Sequence, residues 1–481
     1  MTGDSRPAPA RGAGPTAVLQ RGDQHAARDV IEELVRSLPA GARLPSYREL
    51  QQRYRLSPAT VQRLLAGLAR RGLVVTRPGA GTFTAARRSA GRPADVGWQT
   101  SALGSRPGLG TDLERLVEPP PPGSIGLASG FLDERLQPGG LLAAAASRAA
   151  RRPQGWGRLP ASGLPELRAH FAAETGAALT DQHVLITPGG QAALSAVFRH
   201  LCEPGEPLIV DSPTYLGALV AARAAGLALV PVPGDRDGVL PDALADAFTR
   251  TGARLAYLQP RYANPGGSVL APDRREAVLA AAARAGAFIL EDDWMRDFDL
   301  GAPSPPPLVS QDDDGHVIYL RSVSKPVAAG LRIAGLAARG PALSRLRRGR
   351  LSDDLFVAPV LQHVALDVLT APGWPRHLAG VRRVLRERRD ALVAAIAEQL
   401  PGCQLDLIPA GGLHLWLRLP EHCDDADVAD TAAVRGVTVN AGRASFPGEP
   451  PGPYLRLSYA AEEPSALRRG TQILADIIES Q

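Results

Sequence analysis

From residue 207 to residue 321 the sequence repeats one unit: a short apolar run of β type, then a stretch rich in alanine and leucine that is long enough for a helix. The runs are PLIVD (207 to 211), LALVPV (227 to 232), RLAYLQ (254 to 259), AFILED (287 to 292) and HVIYLR (316 to 321). Such alternation predicts a mostly parallel sheet covered by helices, an α/β domain. From about Trp374 a long arginine-rich helical stretch precedes GLHLWLRL and PYLRLSYA, whose period of two predicts strands of a smaller C-terminal α+β lobe. Residues 124–481 are therefore expected to form one large domain with that lobe attached.

The 481 residues are too many for that domain alone. Residues 1–22 lack a periodic apolar pattern and read as a disordered tail, and 89–123, rich in Gly, Pro and Ser and ending in a proline run, reads as a linker. Between them, 23–88 holds twelve arginines against five carboxylates, the balance of a polyanion binder. HAARDVIEELVRSL has helical apolar spacing. Ser46 with Glu49 three positions on is a capping box for a second helix, and Ser57 followed by Pro58 starts a third, whose apolar face is Val61, Leu64, Leu65 and Leu68. LVVTRPGAGTFTA follows, two β-type runs around Gly79 and Gly81. Three helices and a wing make a winged helix-turn-helix (α+β). Ser57, Ala59, Thr60 and Arg63 lie off the apolar face, where they would meet a major groove, with Arg48, Arg77 and the wing at Gly81 reaching phosphate or an adjoining groove.

Lysine plus arginine total 54, yet only one of these is lysine, Lys325. Arginine stays protonated, so wherever an amine must lose its proton and become a nucleophile, this chain has one side chain to offer. Cys202, Cys403 and Cys423 are an odd number without CxxC spacing, which argues against a disulfide framework or a zinc site. No uncharged apolar run reaches the ~18 residues of a membrane span, and the N-terminus has no apolar signal segment, so a cytoplasmic protein is expected.

Lys325 sits in RSVSKPVAAGLRIAG, just past HVIYLR, with Ser322 three residues before and Arg332 seven after. A cofactor carrying an aldehyde and a phosphate needs that grouping: an amine for the imine, hydroxyl and guanidinium for the phosphate. ITPGGQAAL adds a strand-to-helix turn where Gly189 and Gly190 let backbone amides approach an anion. Asp292, at the end of AFILED, can pair with a protonated pyridine nitrogen, and Asp293 is the alternative. Asn264 in RYANPGGS can donate to a phenolate oxygen, and Tyr215 in DSPTYLG can stack on a ring.

The order GGQ, PTY, NPxG, DD, SxSK, xxGLR resembles that of fold type I aminotransferases over about 125–480. The resemblance implies that Lys325 holds pyridoxal 5′-phosphate (PLP) as an internal aldimine. Asp292 would then face the pyridine nitrogen, Asn264 the ring oxygen and Tyr215 the ring face, with Gly190, Gln191, Ser322, Ser324 and Arg332 around the phosphate. Arg456 in YLRLSYA matches the arginine that binds an amino-acid carboxylate. Two positions depart from the pattern. Trp294 stands where the family usually has a tyrosine that helps hold the ring oxygen, and an indole N–H can donate but not accept. Pro326 follows the lysine directly.

The segment ARLPSYRELQQRYRLSPATVQRLLAGLARRGLVVTRPGAGTF resembles the DNA-binding domain of GntR-type bacterial repressors, with Pro58 where that family commonly has arginine. The two resemblances together look like the MocR subfamily of regulators. They imply a head-to-tail homodimer on operator DNA that senses PLP, an amino compound, or both. A working aminotransferase with an accessory N-terminal module, and the same fold without its cofactor, are the other readings the residues allow.

Overall fold

The computed structural model describes residues 24–85, 95–103, 113 and 117–481. The tail expected over 1–22 lies outside the described residues, as do parts of the segment 89–123, within which Gly97–Leu103 forms a short helix exposing Trp98 and Leu103. The chain divides into two compact units, Met1–Ser105 and Arg106–Gln481.

In the first unit α1 (Gln24–Ser37), α2 (Tyr47–Tyr54) and α3 (Pro58–Arg70) precede an antiparallel hairpin of β1 (Val74–Arg77) and β2 (Gly81–Thr84). Ser46 and Glu49 make the capping box reciprocally: Oγ accepts from the Glu49 amide at 3.3 Å, and Glu49 Oε2 accepts from the Ser46 amide at 2.6 Å. Two of the donors that a helix start leaves unpaired are thereby satisfied. Ser57 caps α3 through the Thr60 amide at 3.2 Å, with Pro58 in the first helical turn. Ile31, Leu50, Val61, Leu65, Leu68 and Val74 then close one core beneath the wing, while Leu64 packs at its edge.

The second unit opens with β3 (Ile125–Gly126). β4 (Val184–Thr187), β5 (Pro207–Ser212), β6 (Ala228–Asp235), β7 (Gly238–Val239), β8 (Leu255–Leu258), β9 (Phe288–Asp292), β10 (Val317–Ser322) and β11 (Ala334–Ala337) form a sheet ordered β4-β11-β10-β9-β8-β5-β6-β7. Strands β6, β5, β8, β9 and β10 are parallel, β11 runs against both its neighbours, and β7 turns back on β6. Ile209 and Ile289 point into one helical layer, Val210 and Leu290 into the other, which is why the runs read as continuously apolar.

The smaller lobe contains β12 (Gln404–Leu405), β13 (His414–Arg418), β14 (Val437–Thr438), β15 (Asn440–Ala441) and β16 (Tyr454–Ser458). Four of these make the antiparallel sheet β12-β13-β16-β15, and β14 pairs with β3. Leu415, Leu417, Leu455 and Leu457 pack with residues of the helices Trp374–Gln399 and Pro464–Glu479. Their alternates, His414, Trp416, Arg456 and Ser458, point the other way and are buried too. The alternation here does not mark a wet face, because the second face carries its polar groups into protein. Among the described residues no helix is long and apolar enough to cross a membrane.

Candidate functional site

Strands β5, β8, β9 and β10 lie side by side, and the segments leaving their C-terminal ends carry Tyr215, Asn264, Asp292 and Lys325. Lys325 is in the turn after β10, where Pro326 is also accommodated. Its Nζ donates to the carbonyl of Gly130 at 2.6 Å and lies 3.7 Å from the centre of the Phe131 ring. Withdrawal from water, then the guanidiniums of Arg456 and Arg332, push the amine down from 10.5 to about 7, with Asp292 acting in the opposite sense. An amine so placed is about half free base at pH 7, and the free base is the form that attacks a carbonyl carbon.

Successive residues of a strand face opposite sides, and this separates the two adjacent carboxylates. Asp292 Oδ2 accepts from the Tyr257 hydroxyl and from Gln259 Nε2, both at 2.9 Å, and burial raises its pKa to about 6. Asp293 instead accepts from Tyr319 at 2.7 Å and lies 3.6 Å from both Arg261 and Arg296, so the alternative to Asp292 belongs to a structural ion cluster. Gln259 Oε1 takes the amide of Asn264 at 2.9 Å. Tyr257 and Gln259 were not singled out in the sequence, although their period-two spacing in RLAYLQ puts them on one side of a strand.

Gly189 and Gly190 open the helix Gly190–Leu201. A Cβ on Gly189, whose φ is +91°, would fall 2.5 Å from Arg332 Nη2, so the guanidinium lies directly against the glycine. Arg332 Nη1 reaches Ser324 Oγ at 3.5 Å, and Ser322 Oγ takes the Ser324 amide at 3.3 Å. Arg332 itself is left-handed, with φ +49°, a costly conformation of the kind retained at functional sites. Helix amides, two hydroxyls and a guanidinium are groups that could hold a phosphate. Beside them, the Tyr215 hydroxyl donates to Gln191 Oε1 at 3.2 Å, and Gln191 Nε2 donates to the Gly217 carbonyl at 2.7 Å.

Arg456 in β16 is buried. Its Nη1 donates to Asn264 Oδ1 at 3.2 Å and its Nη2 to the Ala128 carbonyl at 3.0 Å, while Nε has no partner among the described residues. Trp294 donates its indole N–H to the carbonyl of Tyr262 at 3.1 Å. The tryptophan stacks on His414, with centroids 5.5 Å apart and planes 17° apart. His414, Gly130 and Phe131 went unnoticed in the sequence, since a lone histidine in an apolar strand and a Ser-Gly-Phe turn carry no motif. Among the described residues no cluster of His, Cys, Asp and Glu is arranged to hold a metal.

An amine facing a buried carboxylate, beside a phosphate cradle and a buried arginine fork, is the donor set of a PLP site, and the sequence as a whole agrees. The family described as aminotransferase class I and II matches residues 123–474. The chain belongs to that family.

Bacterial regulatory proteins of the gntR family match residues 24–84, so a GntR DNA-binding module precedes the aminotransferase-class domain, the MocR-type arrangement. The chain is 26% identical over 457 residues, 92% of each chain, to the uncharacterized HTH-type transcriptional regulator YdfD of Bacillus subtilis. It is 31% identical over 359 residues to 2-aminoadipate transaminase of Thermus thermophilus, covering 73% of this chain and 89% of that one. The crystal structure of LysN, an α-aminoadipate aminotransferase from Thermus thermophilus complexed with N-(5′-phosphopyridoxyl)-L-leucine, superposes with a TM-score of 0.71 at 28% identity, over 77% of this chain and 97% of that one.

The aminotransferase-class domain gives a first expectation. Gly189→Ala combines a strained positive φ with a Cβ pressed into the guanidinium of Arg332. PLP affinity should fall by about tenfold or more, as expected for displacing one charged hydrogen-bonding partner. A titration of visible absorbance with added PLP would read this, and unchanged affinity would remove Gly189 and Arg332 from the phosphate cradle.

The GntR module has its own candidate surface. Arg48 on α2 and Ser57 and Arg63 at the start of α3 are exposed. Ser57 Oγ and Thr60 Oγ1 are hydrogen-bonded to one another at 2.8 Å. The Arg77 guanidinium packs 5.0 Å from the centre of the Phe83 ring. Gly81 is explained by the hairpin itself, since its φ is +114° and a Cβ would lie 3.0 Å from Arg43 Nε.

Proposed function

We propose that this protein is a PLP-dependent transcriptional regulator, its winged module gripping operator DNA and its aminotransferase-class domain sensing PLP, an amino compound, or both. The observation that carries this reading is that the chain's sole lysine is buried in the aminotransferase-class domain, within electrostatic reach of Asp292, Arg332 and Arg456, in a protein that also carries a GntR module. Bound PLP would supply an aldehyde to the amine and an electron-accepting ring.

The protein's own groups then act as follows. Lys325, about half free base at neutral pH, provides the nucleophilic nitrogen. Asp292, oriented by Tyr257 and Gln259, would hold the pyridine nitrogen, and its raised pKa suits a carboxylate that shares a proton with a ring base. Asn264 would serve the ring oxygen and Tyr215 the ring face. Gly190, Gln191, Ser322, Ser324 and Arg332 hold the phosphate. Arg456 receives the carboxylate of an amino compound, which must take the guanidinium from Asn264 and Ala128; effector binding is thereby linked to the cofactor's surroundings. Arg48, Arg63 and Arg77 contact phosphates, Ser57 and Thr60 stand at base edges, and Gly81 lets the wing approach the duplex. Two copies arranged head to tail in the cytoplasm would read two half-sites.

The deciding experiment follows retention of a selected operator duplex by the whole protein, with and without PLP and a panel of amino acids, while transamination is measured in the same samples. Retention that changes with these ligands is expected. Steady-state turnover with no duplex retained at moderate salt would overturn the reading.

A further inference from the structure

His414 has no task in the function above, yet it faces the same site. It is 5% exposed, its ring is pinned face-on against Trp294, and its Nε2 has no hydrogen-bond partner among the described residues. A buried polar atom left unpaired costs free energy that a bound partner recovers. A Cβ placed on Gly130 would lie 3.4 Å from Lys325 Nζ and 4.0 Å from His414 Nε2, so both nitrogens border the same point. A ligand atom there touches both the amine and the imidazole.

The charge around that point decides what the ligand atom is. Lys325, Arg332 and Arg456 are cationic groups, and the carboxylate that opposes them is Asp292. Burial, then the charges of Arg456 and Lys325, hold the imidazole well below its ordinary pKa, so His414 is neutral and adds a donor without adding another positive charge. Trp294 offers nothing here, its one N–H being bound to Tyr262.

We propose that His414, braced by Trp294, donates from Nε2 to an anionic oxygen of the ligand held at Lys325, and so acts as a specificity-determining residue of this site. That oxygen is either the ring phenolate of the cofactor or the carboxylate of the amino compound. The inference rests on the PLP reading given above.

Two unreactive probes separate the outcomes: N-(5′-phosphopyridoxyl)-L-leucine and its counterpart built on 3-methylbutylamine, which differ only in the carboxylate. Their dissociation constants are measured by calorimetry on the full chain, on His414→Phe, which keeps a ring to stack on Trp294, and on His414→Gln, which restores a donor at similar reach. Loss of one hydrogen bond to a charged group predicts binding about tenfold to a hundredfold weaker in His414→Phe, partly recovered in His414→Gln. Weakening of the leucine adduct alone identifies the carboxylate as the partner, and equal weakening of both adducts identifies the phenolate. Unchanged constants in His414→Phe, with the parent chain binding normally, overturn the assignment of His414 alone. Failure of the parent chain to bind either adduct overturns the PLP reading and this inference with it.

Discussion

Lys325→Ala is expected to abolish the visible absorbance that the protein develops with PLP, at any concentration of the cofactor. No second lysine exists to substitute, and every other cationic side chain of the same charge is an arginine that cannot give up its proton. The parent chain should show the matching pH dependence. With the amine at about 7, the reactive free base is a minor form below that value, so the initial rate of band formation should drop about tenfold per pH unit on the acid side and level off above it. A rate that kept rising to pH 10 would mean an ordinary solvated lysine.

The same shift has a sign for stability. The folded, cofactor-free protein holds its lysine proton less tightly than the unfolded chain, whose value is near the ordinary 10.5. Between about pH 7 and that value the unfolded state therefore binds more protons, and stability climbs as pH rises through the window. The penalty is fully present below about 7. Lys325→Met should remove this climb and leave the cofactor-free protein more stable in the lower part of the range, checked by thermal melts in paired buffers. Equal pH slopes for the two proteins would show that the amine is not withdrawn from water.

The second large effect concerns the other unit. Arg48→Ala combined with Arg63→Ala takes two exposed side chains from the face formed by α2 and α3 without touching Ile31, Leu50, Val61 or Leu65 of the module's core. Each lost phosphate contact should flatten the plot of log affinity against log salt by about 0.9, so the pair should reduce the slope by nearly two and weaken operator binding by tenfold or more at moderate salt. If either arginine instead reads a guanine edge, discrimination between operator and random duplex shrinks as well. Gel shifts at several salt concentrations measure both. A folded double variant with the parent's affinity and slope would remove this face from the DNA interface.

Which parts of this architecture can be read from sequence follows from how each residue is buried. β5, β8, β9 and β10 are packed on both faces and so appear as unbroken apolar runs. β11 is just as central but consists of Ala-Gly-Leu-Ala: a Cβ on Gly335 would lie 2.7 Å from the Phe171 ring, and small residues chosen for close approach look like a turn or a helix. The two-residue strands β3, β7, β12, β14 and β15 are too short for any period. Around the site, residues whose chemistry is rare in this chain stood out, above all Lys325. Choosing between Asp292 and Asp293 required the pleat of β9, known only once Tyr257 and Tyr319 were placed on opposite sides of it. Tyr215, Asn264 and Arg456 could be named, but not the hydrogen bond between Asn264 and Arg456, because it joins residues 192 apart in the chain. His414 was hidden by its neighbours, since a strand packed on both sides gives its polar member the look of an ordinary core residue.

The arginine fork is already occupied before any effector arrives. Two neutral oxygens, an amide side chain and a main-chain carbonyl, hold Arg456. An incoming molecule must outbid them, and a full negative charge does so where an uncharged ester or carboxamide of the same shape would offer the guanidinium no gain. On the proposed reading the domain would sort candidate signals by ionisation first and by outline second, and amines that carry no acid group would leave it silent.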